Sequence, residues 1–210
     1  TVSQPIATLW RVRHNISSGK AMDLLLQTLR QQWIVLGSFV AVMIGLRFLD
    51  ARLGGRLLNQ LALEPRTVPA PITFFSYAFM HLDRQHLFGN LLYFLPFGWL
   101  ILFQGIRNFL LVTLLITFLT ALGVWLFGTK GSRQVGSSGL NLGYLGYLMS
   151  AGLFNADVGM IVLSLFVFLI FHGLFRQILP WQRGVSTSGH FFGFLSGIAT
   201  AWLLTWYYTQ

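Results

Sequence analysis

Four polar residues in otherwise apolar stretches, His86, Asn90, Ser138 and His190, are of types that could do chemistry together. Polar and ionisable groups in such surroundings are costly, so each is a functional candidate by default. A serine becomes a nucleophile when a base lies beside it. A histidine serves as that base near neutral pH. Ser138 stands in Gly136-Ser137-Ser138-Gly139, and His190 is followed by Gly193 and Gly197. Acyl transfer also needs donors for the developing oxyanion. His86 and Asn90 are four apart, on one helix face, and with the backbone N–H of Ser138 they supply those donors. No metal site is expected, because His86 and His190 have no carboxylate or Cys partner in the same stretches. No cofactor is required by this chemistry. Taken singly each residue has a plainer reading: a serine among glycines caps or packs a helix, and a lone His or Asn ties helices together.

The elements that must position these groups are apolar helices. Of 210 residues 55% are hydrophobic and 9% charged, with a mean hydropathy of +0.67. Soluble domains carry roughly a quarter charged residues. A helical span needs about 20 mostly apolar residues. Six segments qualify, near 33–48, 85–103, 109–127, 138–154, 158–175 and 189–207. None alternates as an outer-membrane strand does, which predicts an all-α membrane protein with a six-helix bundle. In such a bundle the starts of the second, fourth and sixth spans share one membrane face. His86, Ser138 and His190 sit at those starts. Gly139, Gly143 and Gly146 follow Ser138, and small residues at this spacing let helices approach closely.

The chain divides into a basic, membrane-adjacent segment over residues 1–32 and a membrane domain over 33–210. No apolar h-region of a signal peptide stands in residues 1–32. Residues 51–72 join the first two spans. There Leu53, Leu57, Leu58 and Leu61 share a stripe with Arg52, Arg56 and Gln60 off it, which predicts an amphipathic interfacial helix ending before Pro65. The net charge of +9 is scattered over loops and span ends, which argues against nucleic acid and for the lipid bilayer as partner. Positive-inside counting gives five basic residues on the side of the termini and nine on the other, which would put the termini outside. The first span's flanks are nearly balanced, so the rule does not decide orientation. Cysteine is absent. His172 is expected to be structural, Asn141 an interhelical hydrogen-bonder, and Trp33, Trp206, Tyr207 and Tyr208 interface anchors. His14 carries no signal.

These residues resemble the signatures of the rhomboid family of intramembrane serine proteases: Gly-x-Ser-Gly opening the fourth span, His-x-x-x-Asn in the second, and His with following glycines in the sixth. The likeness covers roughly residues 45–205 and includes HLDRQHLFGN and SSGLNLGYLGYL. It implies a rhomboid-like bundle with an interfacial first loop in a bacterial inner (plasma) membrane. It implies Ser138 as nucleophile, His190 as general base and acid, His86 and Asn90 as oxyanion stabilisers, and His81 as structural. Its substrates would be transmembrane proteins, cut in or near the span. The chain departs from many members at Pro71-Ile72-Thr73-Phe74, where they carry a Trp-Arg pair, and at Leu142, where they carry an aromatic. Two other readings are a catalytically inactive rhomboid-fold protein that binds membrane clients, and a small transporter with its histidines lining a path. The latter lacks an internal repeat or broken half-helices.

Overall fold

The computed structural model describes residues 18–177 and 187–210. Expectations for residues 1–17 and for the connection over 178–186 lie outside them. Six long helices form the bundle: α1 (Ser18–Arg52), α4 (Arg84–Leu102), α5 (Ile106–Phe127), α6 (Ser138–Asn155), α7 (Val158–Phe171, continued as a 3-10 turn His172–Gln177) and α8 (Thr187–Thr209). Two short helices, α2 (Arg56–Leu61) and α3 (Thr73–Ser76), lie between α1 and α4. Among the described residues no strand forms, and extended pairing is limited to an isolated bridge between Leu63 and Gln134.

Among the described residues three helical stretches are long and apolar enough to cross a membrane: Gly19–Arg52, Ile106–Phe127 and Val158–Arg176. They make this an integral membrane protein. Its outer surface agrees, because Val162, Leu165, Phe166, Leu169 and Ile170 of α7 are exposed, and a water-soluble monomer rarely shows so continuous an apolar face. The first helix differs from expectation. It is already helical at Ser18, the first described residue, well before Trp33, because Lys20, Asp23 and Arg30 interrupt the apolar run without interrupting helical geometry.

The core follows the inward faces of α4, α5 and α6. Phe94, Phe97, Phe109, Ile116, Tyr144 and Leu145 are fully buried there. The end opposite the α4 start carries a polar cluster. Asn108 donates to Gln104 Oε1 at 2.8 Å and to Tyr147 Oη at 3.0 Å, and Tyr147 Oη donates to Gln104 Oε1 at 2.7 Å. Gln32 Nε2 donates to the carbonyl of Leu102 at 3.2 Å, satisfying one of the last carbonyls of α4.

The expected amphipathic helix after the first span is shortened to Arg56–Leu61. Gly54 and Gly55 take φ of +62° and +82°, a conformation that favours glycine, and this break leaves Leu53 outside the helix. Within α2 the stripe survives: Leu57, Leu58 and Leu61 are half-buried, while Arg56 and Gln60 are exposed. Asp50 holds the turn by accepting the Leu58 N–H at 2.9 Å. The rest of the connection is fastened to α5. Trp125 Nε1 donates to the Thr67 carbonyl at 2.9 Å, and Tyr77 Oη donates to the Thr117 carbonyl at 3.2 Å. Phe74 and Phe75 pack against Phe118, tilted and stacked respectively, with centroids 5.8 and 5.9 Å away. Arg133 pairs with Glu64 at 2.8 Å. Trp125 and Arg133 thus anchor this connection.

Candidate active site

The α4 start is set by a cap. Asp83 precedes the helix with extended backbone, and its side chain accepts the His86 N–H at 2.7 Å. A carboxylate at this position satisfies an orphan donor and complements the helix dipole. The capped turn carries His86, half-buried, and one turn on Asn90, which is buried.

The α6 start lacks such a cap. Ser137 occupies the cap position, yet its side chain makes no capping bond, and its Oγ is buried without a partner. The first N–H groups of a helix have no intrahelical acceptor, so this terminus is suited to receive negative charge. Ser138 is the first residue of α6 and is half-buried. Before it Gly136 takes φ of +103° and donates its N–H to the Tyr77 carbonyl at 2.9 Å. A methyl group on Gly136 would lie 2.6 Å from His86 Cε1, 2.7 Å from His86 Nε2 and 3.2 Å from Asn90 Nδ2. His86 and Asn90 therefore rest directly on the backbone two residues ahead of Ser138. Asn141, expected as an interhelical hydrogen-bonder, donates to the Asn90 carbonyl at 2.9 Å and locks α6 to α4. The Nδ2 of Asn90 and the Nδ1 of His86 are buried with no hydrogen-bond partner.

The α8 start comes to the same place through glycines. A methyl on Gly139 would stand 3.0 Å from the Gly189 carbonyl oxygen and 3.1 Å from Thr120 Cγ2; one on Gly193 would stand 2.9 Å from Gly139 Cα. One on Gly143 would stand 3.1 Å from the Gly193 oxygen, and one on Gly197 would stand 2.7 Å from Tyr147 N. The α6 and α8 backbones thus touch along four successive glycines, the most extensive helix contact among the described residues. Gly139 follows Ser138 and Gly189 precedes His190, so the two helix starts adjoin. His190 is buried, with 4% of its surface exposed.

His81 lies just before α4, fully buried, with Nδ1 3.2 Å from the Phe79 carbonyl and its ring 5.3 Å from that of His86. Burial, reinforced by His86, pushes its pKa down to about 4, so near neutrality it is uncharged. His172 is exposed, its Nδ1 3.0 Å from the Leu169 carbonyl. Leu142 is buried. Among the described residues no three His, Asp or Glu side chains group as a metal site.

Two contributors are not apparent from the motifs. Asp83 was legible in principle, as an Asp opening an apolar helical run. The platform role of Gly136 was not, because its contact with His86 joins segments fifty residues apart. A protein-family model described as the rhomboid domain matches residues 69–207. An uncharacterized protein of Mycobacterium tuberculosis is 30% identical over 190 residues, covering 85% of this chain and 79% of the relative. One of Mycobacterium bovis matches to the same extent. One of Mycobacterium leprae is 32% identical over 134 residues, covering 60% of this chain and 53% of the relative.

Proposed function

Because the chain belongs to the rhomboid family, we propose that it is an intramembrane serine endopeptidase that cuts transmembrane proteins in or near their spans. The supporting observation is the glycine contact that sets the start of α6, with Ser138, against the start of α8, with His190. In this reading α1, α4, α5, α6, α7 and α8 are six spans of a bacterial inner membrane, in keeping with the mycobacterial relatives.

The steps use this chain's own groups. Ser138 Oγ attacks the scissile carbonyl carbon while His190 takes the hydroxyl proton. The carbonyl oxygen becomes an oxyanion and is received by His86, Asn90 Nδ2 and the Ser138 N–H. Collapse breaks the C–N bond, and His190 returns the proton to the departing amine. Water, deprotonated by His190, then attacks the Ser138 ester. The new carboxyl product leaves and the serine hydroxyl is restored. No acidic third member is called for.

The test is cleavage of a model single-span substrate in proteoliposomes. Ser138→Ala and His190→Ala should each lower the rate by about a thousand-fold or more, and unchanged cleavage in either sinks the assignment. A fluorophosphonate should label Ser138; labelling of Ser137 refutes the choice of nucleophile. A second reading, an inactive client-binding member of the fold, is favoured by the aliphatic Leu142. It predicts that wild type and Ser138→Ala bind the substrate alike and that neither cuts it.

A further inference from the structure

Beside the active-site end of α4, on the side away from α6, a cavity of about 240 Å³ opens between α1 and α4. Two arginines line it, Arg47 from α1 and Arg84 from α4, together with Ile44, Phe48, Leu87 and Phe88. None of these residues belongs to the proposed hydrolytic machinery.

The charges in the cavity are not matched. Among the described residues Arg84 has no carboxylate within 4 Å; its guanidinium carbon lies 5.7 Å from the centre of the Phe48 ring. Arg47 reaches Asp50 through Nη1 at 3.9 Å, too long for a hydrogen bond. The other oxygen of Asp50 accepts the Leu58 N–H at 2.9 Å. Arg47 Nε is buried with no hydrogen-bond partner, and a guanidinium N–H held away from water needs an acceptor. The nearby Asp83 is engaged in capping α4. Two guanidinium groups therefore share one small space that no carboxylate lines, and the nearby Asp50 and Asp83 each already accept a backbone N–H.

The remaining wall says which anion fits. Phe48 and Phe88 are 56% and 66% exposed, in a groove that a hydrated ion would leave uncovered. Arg47 stands five residues before the end of a membrane-capable helix, Gly19–Arg52, and Arg84 opens α4. Both sit at the level where span ends meet headgroups. Arginine's planar fork suits phosphate oxygens, and the aromatic groove beneath suits an acyl chain. We propose that this cavity binds an anionic phospholipid, its phosphate between Arg47 and Arg84 and one acyl chain against Phe48 and Phe88.

The experiment is native mass spectrometry of the full chain in detergent micelles, titrated with phosphatidylglycerol and, separately, phosphatidylcholine of identical chains. Wild type should retain phosphatidylglycerol with roughly ten-fold preference, the scale of two basic groups at an anionic headgroup. Arg47→Gln/Arg84→Gln should remove the preference, and Arg47→Lys/Arg84→Lys should keep part of it. Arg107→Gln/Lys130→Gln loses the same net charge elsewhere and should behave as wild type. Arg84 is exposed, so Arg84→Gln alone, expected to lower the preference at least three-fold, gives an answer even if the double variant fails to fold. The proposal is overturned by an absence of preference in wild type, by retention in the glutamine variants, or by an equal loss in the charge-matched control. Displacement of the lipid by excess inorganic phosphate would mark a site for soluble anions and overturn it too.

Discussion

Asn90 Nδ2 and His86 Nδ1 are buried polar atoms that the folded chain leaves without partners. A buried donor left unmade costs free energy, and both atoms belong to residues that rest on Gly136, two residues from Ser138. In the proposed reading these atoms are held in reserve for the transition-state oxyanion. Asn90→Ala and His86→Ala should each lower kcat by about a hundred- to a thousand-fold, with KM nearly unchanged in a substrate titration. A rise in KM alone would make them substrate-binding groups instead. His81 gives a prediction about stability rather than rate. Its folded-state pKa of about 4 lies below the ordinary 6.5, so as pH falls through 6.5 the unfolded chain takes a proton that the folded chain refuses. Stability contributed by the neutral ring is present above pH 6.5 and lost progressively toward pH 4, up to roughly 3 kcal/mol. Thermal midpoints in micelles should fall over that window, and His81→Gln should flatten the fall. An equal slope in the variant would assign the effect to other groups.

The contact between α6 and α8 depends on missing side chains. At Gly139 and Gly193 an added methyl meets backbone atoms of the facing helix, and backbone cannot swing aside as a flexible side chain does. Gly193→Ala should force the helices apart, costing about 1–3 kcal/mol, with loss of cleavage larger than the loss of stability explains. Gly45→Ala in α1 meets nothing within 4 Å and should be neutral or slightly stabilising, since alanine favours helix by about 1 kcal/mol. Matched melting curves and rates for the two variants check this, and equal effects would mean that the glycine contact does not hold the two helix starts together. Much of this element-scale picture could be read from the chain, because Gly139, Gly143, Gly193 and Gly197 sit at helical spacing beside Ser138 and His190. The fastening of the first loop could not. Trp125 and Thr67, or Arg133 and Glu64, meet across stretches whose sequence carries no periodic signal linking them. The extension of α1 ahead of Trp33 was hidden for a simpler reason: span reading follows apolarity, whereas helical geometry tolerates Lys20, Asp23 and Arg30.

At the scale of the whole molecule the order of the crossings decides which residues share a membrane face. The charge pattern does not decide the orientation, and the structure suggests a physical reason. On the side of the α4 and α6 starts Arg133 is engaged within the fold: it pairs with Glu64 and donates to Asn59 Oδ1 at 2.6 Å. A positive-inside count treats such a residue as a free topological signal, although its position also serves packing. Geometry offers a firmer handle. The bridge between Leu63 and Gln134 requires the loop after α1 and the loop before α6 to lie on one side. Six crossings would then put the end of α8 on the other. Since the chain has no cysteine, single cysteines report position without background. Thr129→Cys, exposed beyond α5, and Gln210→Cys, exposed after α8, should react with a membrane-impermeant maleimide from opposite sides of sealed, uniformly oriented vesicles. Labelling of both from one side would require an odd number of crossings between α5 and the C-terminus to become even. One of α6, α7 or α8 would then fail to span, and the shared face for Ser138 and His190 would have to be rebuilt.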